Sequence, residues 1–292
     1  MKKIVIFGVG LIGGSLALAL KAQALKAEFS DLHIVGIGRH GDNLQDALDL
    51  KAIDTVEKDV SLALKNADLV IIATPVAQTP HILTAILPYL ESKTVITDVG
   101  STKSDVVAYA QEILGEKSAQ FIAGHPIAGA EKSGATAAKA DLFLNKNIVL
   151  TPSANANKHA LQKVRAMWLA TGANVSEMTA LQHDSIFAAV SHLPHLLAFA
   201  LVDELASRNN AQQLFDFAAS GFRDFTRIAG SSSEMWRDIS IANKTALISE
   251  IEAYQTKLYQ LKQLLSDEDG TVLQALFERA SLARNNWANG IK

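Results

Sequence analysis

The sequence KIVIFGVGLIGGS at residues 3–15 decides the predicted fold. Its first five residues, Lys3–Phe7, form an apolar run typical of a buried strand, and the Ala- and Leu-rich segment Leu11–Ala24 has helical spacing. The chain passes from one to the other through glycines in the spacing Gly-x-Gly-x-x-Gly. A strand that enters a helix through this turn is the dinucleotide-binding unit of a doubly wound α/β sheet.

Each glycine of this turn has a separate task. Gly8 allows the tight turn, Gly10 lets the backbone approach a pyrophosphate, and Gly13 lets the helix pack closely on the strand. The first helical residues, Leu11 and Ile12, lie where free N–H groups and the helix dipole would face the phosphates. We therefore predict that these five residues bind a dinucleotide.

The same N-terminal segment has an alternative interpretation. Lys2 and Lys3 precede an apolar run that extends to Leu20, which on composition alone resembles a secretory signal. A signal peptide has no reason to place four glycines in this run. The strand–turn–helix context therefore favours the dinucleotide-binding turn.

Short β-rich runs alternate with helical segments through the first half of the chain. This alternation predicts a parallel sheet with helices on both faces, a Rossmann-type doubly wound α/β fold. We place a dinucleotide-binding domain at residues 1–177 and an all-helical domain for substrate binding and dimerisation at residues 178–292. The predicted strands are Lys3–Phe7, His33–Ile37, Leu69–Ala73, Thr94–Asp98, Gln120–Ala123 and, more weakly, Ile148–Leu150.

The second half of the chain reads as helical. Thr179–Ser207 is predicted to be one long helix, and because it is apolar on most faces we expect it to be buried. A seam with heptad spacing could pack inside its own domain or against a second copy of the chain in a homodimer. The seam consists of Leu247, Ile251, Tyr254, Leu258, Leu261 and Leu265.

The composition bounds the function. The chain has 292 residues, 49% of them hydrophobic, which is enough for two domains with a sizeable core. It carries 27 basic and 30 acidic residues, and this balance argues against a partner that is nucleic acid or an anionic membrane. The absence of cysteine excludes disulfides, thiolate metal sites and cysteine nucleophiles, and it fits the cytoplasmic location that we expect.

The end of the second predicted strand bears on the choice of cofactor. An Asp or Glu usually stands there and binds the ribose 2′-hydroxyl of NAD, whereas this chain has Gly38 and Arg39. A guanidinium would bind a 2′-phosphate, so we predict a preference for NADP with NAD possible. The alternative is that Arg39 is a solvated loop residue. Thr74 and Pro75, which follow the third predicted strand, are expected to contact the same cofactor.

Two polar residues follow later strands, where ligands bind in such folds. Ser101 comes after the strand that ends at Asp98, and His125 comes after the strand that ends at Ala123. A histidine can take a hydroxyl proton while hydride leaves the same carbon, and Ser101 could hydrogen-bond that hydroxyl or the cofactor. A histidine beside a proline is more often a loop residue, but the shared location favours a catalytic pair.

The apolar helix is interrupted by SHLPH at residues 191–195. Buried polar groups need partners, so these side chains are either satisfied core groups or substrate contacts, and we predict Ser191, His192 and His195 as contacts. A metal site would need a third ligand such as Asp184. Because the chain has neither cysteine nor an HExxH pattern, we predict no metal.

Two arginines follow in the sequence GFRDFTR. Arg223 and Arg227 are four residues apart and would share a helix face. An arginine near a cleft can bind the carboxylate of a substrate, which we predict for Arg227. A solvated face is the alternative, and we accept it for Arg223.

Together these motifs resemble the prephenate/arogenate (cyclohexadienyl) dehydrogenase family. The glycine turn is common to many dehydrogenases, whereas four further motifs in the expected order are specific as a set. The sequence differs from the family pattern at Gly38-Arg39, where the family has an acidic residue, and this difference favours NADP over NAD. The four motifs are DVGSTK at 98–103, GHPIAG at 124–129, SHLPH at 191–195, and GFRDFTR with MWRD at 221–227 and 235–238.

The resemblance implies an oxidative decarboxylation of prephenate or arogenate in tyrosine biosynthesis. Hydride would leave the ring carbinol carbon for the nicotinamide, and carbon dioxide would leave from the opposite ring position. The resemblance further implies that His125 is the catalytic base and that Ser101 binds the hydroxyl. It assigns substrate binding to His195 and carboxylate binding to Arg227, and it implies pairing of the helical halves.

Two other classes of protein remain open. Another two-domain dehydrogenase, of the β-hydroxyacid dehydrogenase or imine reductase type, would share the glycine turn but would usually carry a lysine, or no histidine, in place of His125 and His195. A non-catalytic sensor of the dinucleotide would need no constellation of histidine, serine and arginine around the nicotinamide.

Overall fold

The computed structural model describes residues 1–24, 31–39, 41–129 and 132–290. The chain divides into two compact units, Met1–Lys244 and Thr245–Lys292. The predicted domain boundary between residues 177 and 178 falls inside the first unit and stays a prediction.

The first unit is built on an eight-stranded sheet with the order β3-β2-β1-β4-β5-β6-β7-β8. The six predicted strands are confirmed. The sequence gives no signal for the other two, because β3 has only two residues and β8 is mostly exposed and lacks an apolar run. The strands are β1 Lys3–Phe7, β2 His33–Ile37, β3 Thr55–Val56, β4 Leu69–Ile72, β5 Val95–Asp98, β6 Phe121–Pro126, β7 Asn147–Thr151 and β8 Asn174–Glu177.

The predicted parallel sheet is confirmed except at one edge. Strand β7 runs antiparallel to β6, and β8 then pairs parallel to β7. A parallel neighbour needs a long crossover, usually a helix. The described part of the connection from β6 to β7 contains only the 3₁₀ turn Ala135–Ala137, so the chain returns in the opposite direction.

Helices cover both faces of the sheet, as predicted. In β1, Ile4 and Ile6 enter the core that α1 and α6 cover, whereas Val5 and Phe7 enter the core under α3, α4 and α5. Burial on both faces is what parallel strands require. The helices around the sheet are α1 Leu11–Ala24, α2 Gly41–Asp49, α3 Val60–Leu64, α4 Thr79–Ile86, α5 Ser104–Leu114 and α6 Lys158–Ala170.

The rest of the first unit is helical. The predicted long helix is present as two α-helices joined by a π-helical turn, and Pro194 lies in the first turn of the second one, where a missing N–H is tolerated. The elements are α7 Ala180–Phe187, the π-turn Ala188–His192, α8 Leu193–Ala206, α9 Ala211–Asp216, α10 Ser220–Thr226 and α11 Ser233–Ala242.

The expected burial of this long helix is wrong. Only 28% of its most apolar 18-residue window is buried, and Leu181 and Val190 are exposed. By length and composition Ala180–Ala206 is long and apolar enough to cross a membrane. In the sequence alone, the polar residues near Pro194 make the uninterrupted apolar stretch too short for a membrane span. One such helix is weak evidence, because core helices pass the same test. The expectation of no membrane partner stays a prediction.

The second unit contains two helices. The helices are α12, Lys244–Ser266, and α13, Gly270–Gly290. Lys244, the first residue of α12, is also the last residue of the first unit. Of the heptad-spaced seam, Leu247 is buried, whereas Tyr254, Leu258 and Leu265 are exposed in the single chain. The outer part of the seam is therefore open to a partner.

Candidate active site

A cavity of about 410 Å³ lies where β1 and β4 end. The strand order reverses between these two strands, and such a switch point is where doubly wound sheets bind their ligands. Five predicted cofactor residues line this cavity, and the other predicted members of the turn begin α1. The lining residues are Gly8, Gly10, Arg39, Thr74 and Pro75, and those at the start of α1 are Leu11, Ile12 and Gly13.

The backbone geometry fits a dinucleotide. Gly8 has a φ of +91°, and a Cβ there would lie 2.6 Å from the carbonyl oxygen of Ala73. A Cβ on Gly13 would lie 2.2 Å from the carbonyl oxygen of Gly8, whereas one on Gly10 would meet no atom within 4 Å. Two glycines therefore allow close packing and the third leaves the backbone open, as a pyrophosphate requires.

Three further polar residues line the same cavity and were missed in the sequence. They are Asn43 on α2, Gln78 in the 3₁₀ turn before α4, and His81 on α4. None belongs to a motif, so only the folded chain brings them to the cavity.

A buried ion pair holds together the loops that carry Ser101 and His125. Lys103 Nζ donates to the carboxylate of Asp98 and, over 2.8 Å, to the carbonyl oxygen of Gly124. The same carboxylate accepts from the backbone N–H of Gly100 at 2.8 Å and of Gly124 at 3.0 Å. Because Ser101 lies between Gly100 and Lys103, and His125 follows Gly124, the pair fixes both predicted catalytic residues at neighbouring strand ends.

The ring of His125 is backed by a second histidine and an aspartate. His125 Nδ1 lies 2.8 Å from His183 Nε2, and His183 Nδ1 lies 2.8 Å from the Asp184 carboxylate. That carboxylate also accepts from the backbone N–H of Lys103 at 2.9 Å and of Ser104 at 2.8 Å, so it caps the start of α5. Sequence reasoning missed His183 entirely.

Asp184 therefore has a different setting from the one considered in the sequence, where it was a possible third metal ligand. Its hydrogen bonds go to a helix terminus and a histidine ring. Within the described residues no three His, Asp or Glu side chains come together in a way that could hold a metal ion.

The electrostatic environment keeps His125 uncharged. Desolvation, together with the nearby His183 and the positive charge of Lys103, holds the pKa of His125 well below its ordinary value of 6.5. Burial also lowers the pKa of His183, although Asp184 partly opposes this. Burial raises the pKa of Asp184, but the hydrogen bonds it accepts from His183, Ser104 and Lys103 outweigh this and lower it. At neutral pH the two rings are neutral and the carboxylate is ionised.

A second group of predicted residues lies around Trp236. His195 stacks on this indole with ring centroids 3.7 Å apart, and its Nδ1–H donates to the carbonyl oxygen of Ser191 over 2.9 Å. Burial and, to a smaller extent, the positive charge of Arg227 lower the pKa of His195. The structure thus brings His195, Trp236 and Arg227 together.

Arg223 and Arg227 lie in successive helical elements, and their predicted shared face stays a prediction. Helix α10 ends at Thr226, and Arg227 begins a 3₁₀ turn that runs to Gly230. Such 3₁₀ turns are common at helix ends. In the last turn of α10, directly before this 3₁₀ turn, the Thr226 hydroxyl donates to the carbonyl oxygen of Phe222.

His192 is a core residue in this structure. It is 1% exposed, and its Nδ1 lies 3.1 Å from the side-chain amide of Asn243, which also donates to the carbonyl oxygen of Asp184 over 2.8 Å. This arrangement satisfies one ring nitrogen of a core histidine, whereas the buried Nε2 has no hydrogen-bond partner among the described residues. The substrate contacts assigned to His192 and Ser191 stay predictions.

The burial of His192 makes the protein sensitive to acid. Burial lowers its pKa from 6.5 to about 4, so the unfolded chain binds a proton over a pH range in which the folded chain does not. Stability is therefore lost as pH falls from 6.5 towards 4, and this shift corresponds to about 3 kcal/mol. The free energy of unfolding of the parent protein should therefore decrease between pH 6.5 and pH 4, and we expect His192→Asn to make that decrease about 3 kcal/mol smaller. Urea denaturation at several pH values measures both proteins. The exposed His159, changed to Asn, should leave the decrease unaltered; an equal acid sensitivity of His192→Asn and the parent protein would refute the assignment.

The strand order, the glycine cradle at the switch point and the neutral histidine at a strand end define a dinucleotide-dependent dehydrogenase. Residues 21–177 match the family model for the nucleotide-binding domain of prephenate dehydrogenase, and residues 179–279 match that for the prephenate dehydrogenase dimerization domain. The chain belongs to the prephenate dehydrogenase family.

Individual relatives agree with this assignment. The prephenate dehydrogenase of Bacillus subtilis is 38% identical over 95% of this chain and 74% of its own length, and the cyclohexadienyl dehydrogenase of Zymomonas mobilis is 31% identical over 97% and 95%. The structure of prephenate dehydrogenase from Aquifex aeolicus, in complex with hydroxyphenyl propionate and NAD⁺, matches with a TM-score of 0.91 at 34% identity over 98% of both chains. Synechocystis arogenate dehydrogenase matches with a TM-score of 0.81 at 28% identity, over 98% of this chain and 99% of its own.

Proposed function

We propose that the protein catalyses the oxidative decarboxylation of prephenate, arogenate or both, with a nicotinamide dinucleotide as oxidant. The observation that carries this proposal is the neutral ring of His125, held at a strand end by the Gly124 backbone and backed by His183. A neutral imidazole at this position can take the proton of a substrate hydroxyl.

The residues of the chain divide the reaction between them. The glycine turn would hold a nicotinamide dinucleotide, whose nicotinamide would supply the acceptor for the hydride of the ring carbinol carbon. His125 takes the hydroxyl proton as the carbon–oxygen double bond forms, and it returns the proton to the phenolic oxygen of the product. The electrons of the bond to the leaving carbon dioxide make the ring aromatic. Ser101 is suited to hydrogen-bond the reacting oxygen, and Arg227 to hold a carboxylate.

The test is a two-by-two assay that follows reduced nicotinamide by its absorbance. Purified protein is given prephenate or arogenate, each with NADP or NAD. Turnover with either substrate supports the proposed reaction, and the faster substrate defines the preference. No turnover in any combination, with the dinucleotide still bound, would overturn the proposal.

We also propose a preference for NADP over NAD. Arg39 lines the cofactor cavity at the end of β2, the position from which an acid would contact the 2′-hydroxyl of NAD. A guanidinium favours a 2′-phosphate there, because the two can form paired charge-assisted hydrogen bonds.

Arg39→Ala tests this preference. We expect the variant to bind NADP about 10- to 100-fold more weakly, the effect of losing a hydrogen-bonded charge, while NAD binding changes less than about twofold. Dissociation constants for both cofactors can be measured by fluorescence titration. Arg223→Ala, which changes an exposed arginine on α10, is the matched control. Equal weakening of both cofactors would contradict a role at the 2′-phosphate.

Arg227→Ala tests the carboxylate contact. Loss of a charge-assisted contact should raise the KM for the cyclohexadienol about 10- to 100-fold with a smaller change in kcat. Steady-state kinetics at saturating cofactor measure both constants, and Arg223→Ala again provides the comparison. An unchanged KM would exclude the contact.

We further propose that the protein is a homodimer formed through its helical part. Two apolar surfaces are exposed in the single chain, one on Ala180–Ala206 and one on the outer seam of α12, and solvent-exposed apolar patches of this kind often mark interfaces. The matching family domain is described as a dimerization domain. Light scattering during size-exclusion chromatography should give twice the chain mass of 31.3 kDa, and a monomer mass would contradict the proposal.

A further inference from the structure

Three side chains form a continuous hydrogen-bonded chain behind the proposed base. The Asp184 carboxylate bonds to His183 Nδ1, and His183 Nε2 bonds to His125 Nδ1, each over 2.8 Å. His183 is fully buried and Asp184 is almost fully buried. The ring of Phe187 packs against both imidazoles, with centroids 5.0 Å from His125 and 4.5 Å from His183. Solvent therefore does not compete for these bonds.

The direction of each hydrogen bond follows from the Asp184 end. An ionised carboxylate only accepts, so the proton between it and His183 belongs to Nδ1 of that ring. A neutral His183 then has a lone pair on Nε2. The facing Nδ1 of His125 must carry a proton to satisfy that lone pair.

The opposite arrangement is unfavourable. It would place a proton on His183 Nε2 and turn the lone pair of His183 Nδ1 towards the Asp184 carboxylate, so that two acceptors would face each other in a buried site. A doubly protonated His183 would avoid this conflict, but burial and the positive charge of Lys103 oppose it and together outweigh the attraction of Asp184 and Asp98.

We propose that His183 and Asp184 are positioning residues that fix His125 in the tautomer with a proton on Nδ1, so that the Nε2 lone pair is the one available to substrate. The proposal rests on the function proposed above for His125. It adds that the choice of nitrogen is imposed from α7, and that the same Asp184 carboxylate caps α5. When His125 takes a proton on Nε2, its Nδ1–H stays bonded to His183, so the ring does not turn as its charge changes.

Two substitutions of His183 separate the tautomer effect from packing. His183→Phe keeps a ring of similar size but removes the acceptor for His125 Nδ1 and the donor to Asp184. His183→Gln places an amide in the same position, whose oxygen can accept from His125 and whose nitrogen can donate. The exposed His159, changed to Phe, is the control.

The direct readout is the nitrogen spectrum of the imidazoles, which needs no substrate. Protein labelled with ¹⁵N-histidine is recorded at neutral pH, and the His125 signals are assigned by their absence in His125→Asn. We expect the Nδ1-protonated pattern for His125 in the parent protein and in His183→Gln, and loss of that pattern in His183→Phe. A parent protein with His125 protonated on Nε2, or a His183→Phe spectrum with the tautomer unchanged, would overturn the proposal.

Kinetics provide the second readout. His183→Phe should lower kcat about 10- to 100-fold, part of what a general base contributes, with the KM for substrate and cofactor within about twofold. His183→Gln should recover most of kcat. If the parent protein turns over neither cyclohexadienol, the proposed function fails while the spectra still decide the tautomer. If His183→Phe does not fold, the parent and His183→Gln spectra remain decisive.

Discussion

His125→Asn is expected to lower kcat with prephenate or arogenate by about 10²- to 10⁴-fold, the range that a general base contributes. Asparagine can still donate a hydrogen bond to His183 from its amide, so the variant removes the basic nitrogen with little change in packing. The dinucleotide cavity is lined by other residues. The dissociation constant of the variant for the cofactor should therefore stay within about twofold of the parent value.

The pH dependence gives the same prediction an independent check. Because the pKa of His125 lies well below 6.5, it stays unprotonated as pH falls to that value, and kcat/KM should hold through pH 6.5 and decline only at lower pH. The decline has this sign because protonation removes the lone pair that accepts the hydroxyl proton. His125→Asn should lack this acidic limb, and His159→Asn should retain it. Turnover of His125→Asn within a few-fold of the parent protein would exclude His125 as the base.

Local sequence patterns predict the sheet well because the burial of a short apolar run depends mostly on the residues within that run. The bounds of β1, β2 and α1 agree with the predicted ones, since apolar runs bounded by glycines and loop residues leave few alternatives. Strand β8, with the sequence NVSE, has no such pattern. It forms because α6 returns the chain beside β7, which is a tertiary effect.

The cofactor turn and the base could be found from motifs, whereas the groups that support the base could not. His125 and His183 are 58 positions apart in sequence, and the Asp184 carboxylate reaches a backbone N–H 81 positions away. No spacing rule links residues across such distances. The same limitation applies to Asp184, which the sequence leaves open as a third metal ligand, because spacing does not show that its carboxylate binds the start of α5 and the ring of His183.

Apolarity also fails to distinguish a core from an interface. The apolar faces of Ala180–Ala206 predict a buried helix, yet most of its residues are half-buried or exposed in the single chain. The hydrophobic effect favours removal of such a surface from water and does not depend on which chain covers it. The sequence therefore predicts that this helix is covered, and the proposed dimer supplies the second surface.

Lys103→Met is expected to destabilise the protein by about 3–5 kcal/mol, the cost of leaving a buried charge without its partner. Lys103 and Asp98 are both buried, and the lysine also donates to the carbonyl oxygen of Gly124. Methionine fills a similar volume but neutralises nothing. Urea denaturation at neutral pH in the absence of cofactor measures the loss, and Lys158→Met, an exposed change at the start of α6, is the control.

The double variant Asp98→Asn with Lys103→Met distinguishes a charge effect from a packing effect. Asparagine removes the unpaired charge while its amide oxygen can still accept from one backbone N–H, of Gly100 or Gly124. If the unpaired carboxylate causes the loss, the double variant should be more stable than Lys103→Met alone, although it carries one more substitution. If instead the free-energy losses of the two single variants simply add, the two side chains are not energetically coupled. That result would show that the ion pair does not hold together the loops that carry Ser101 and His125.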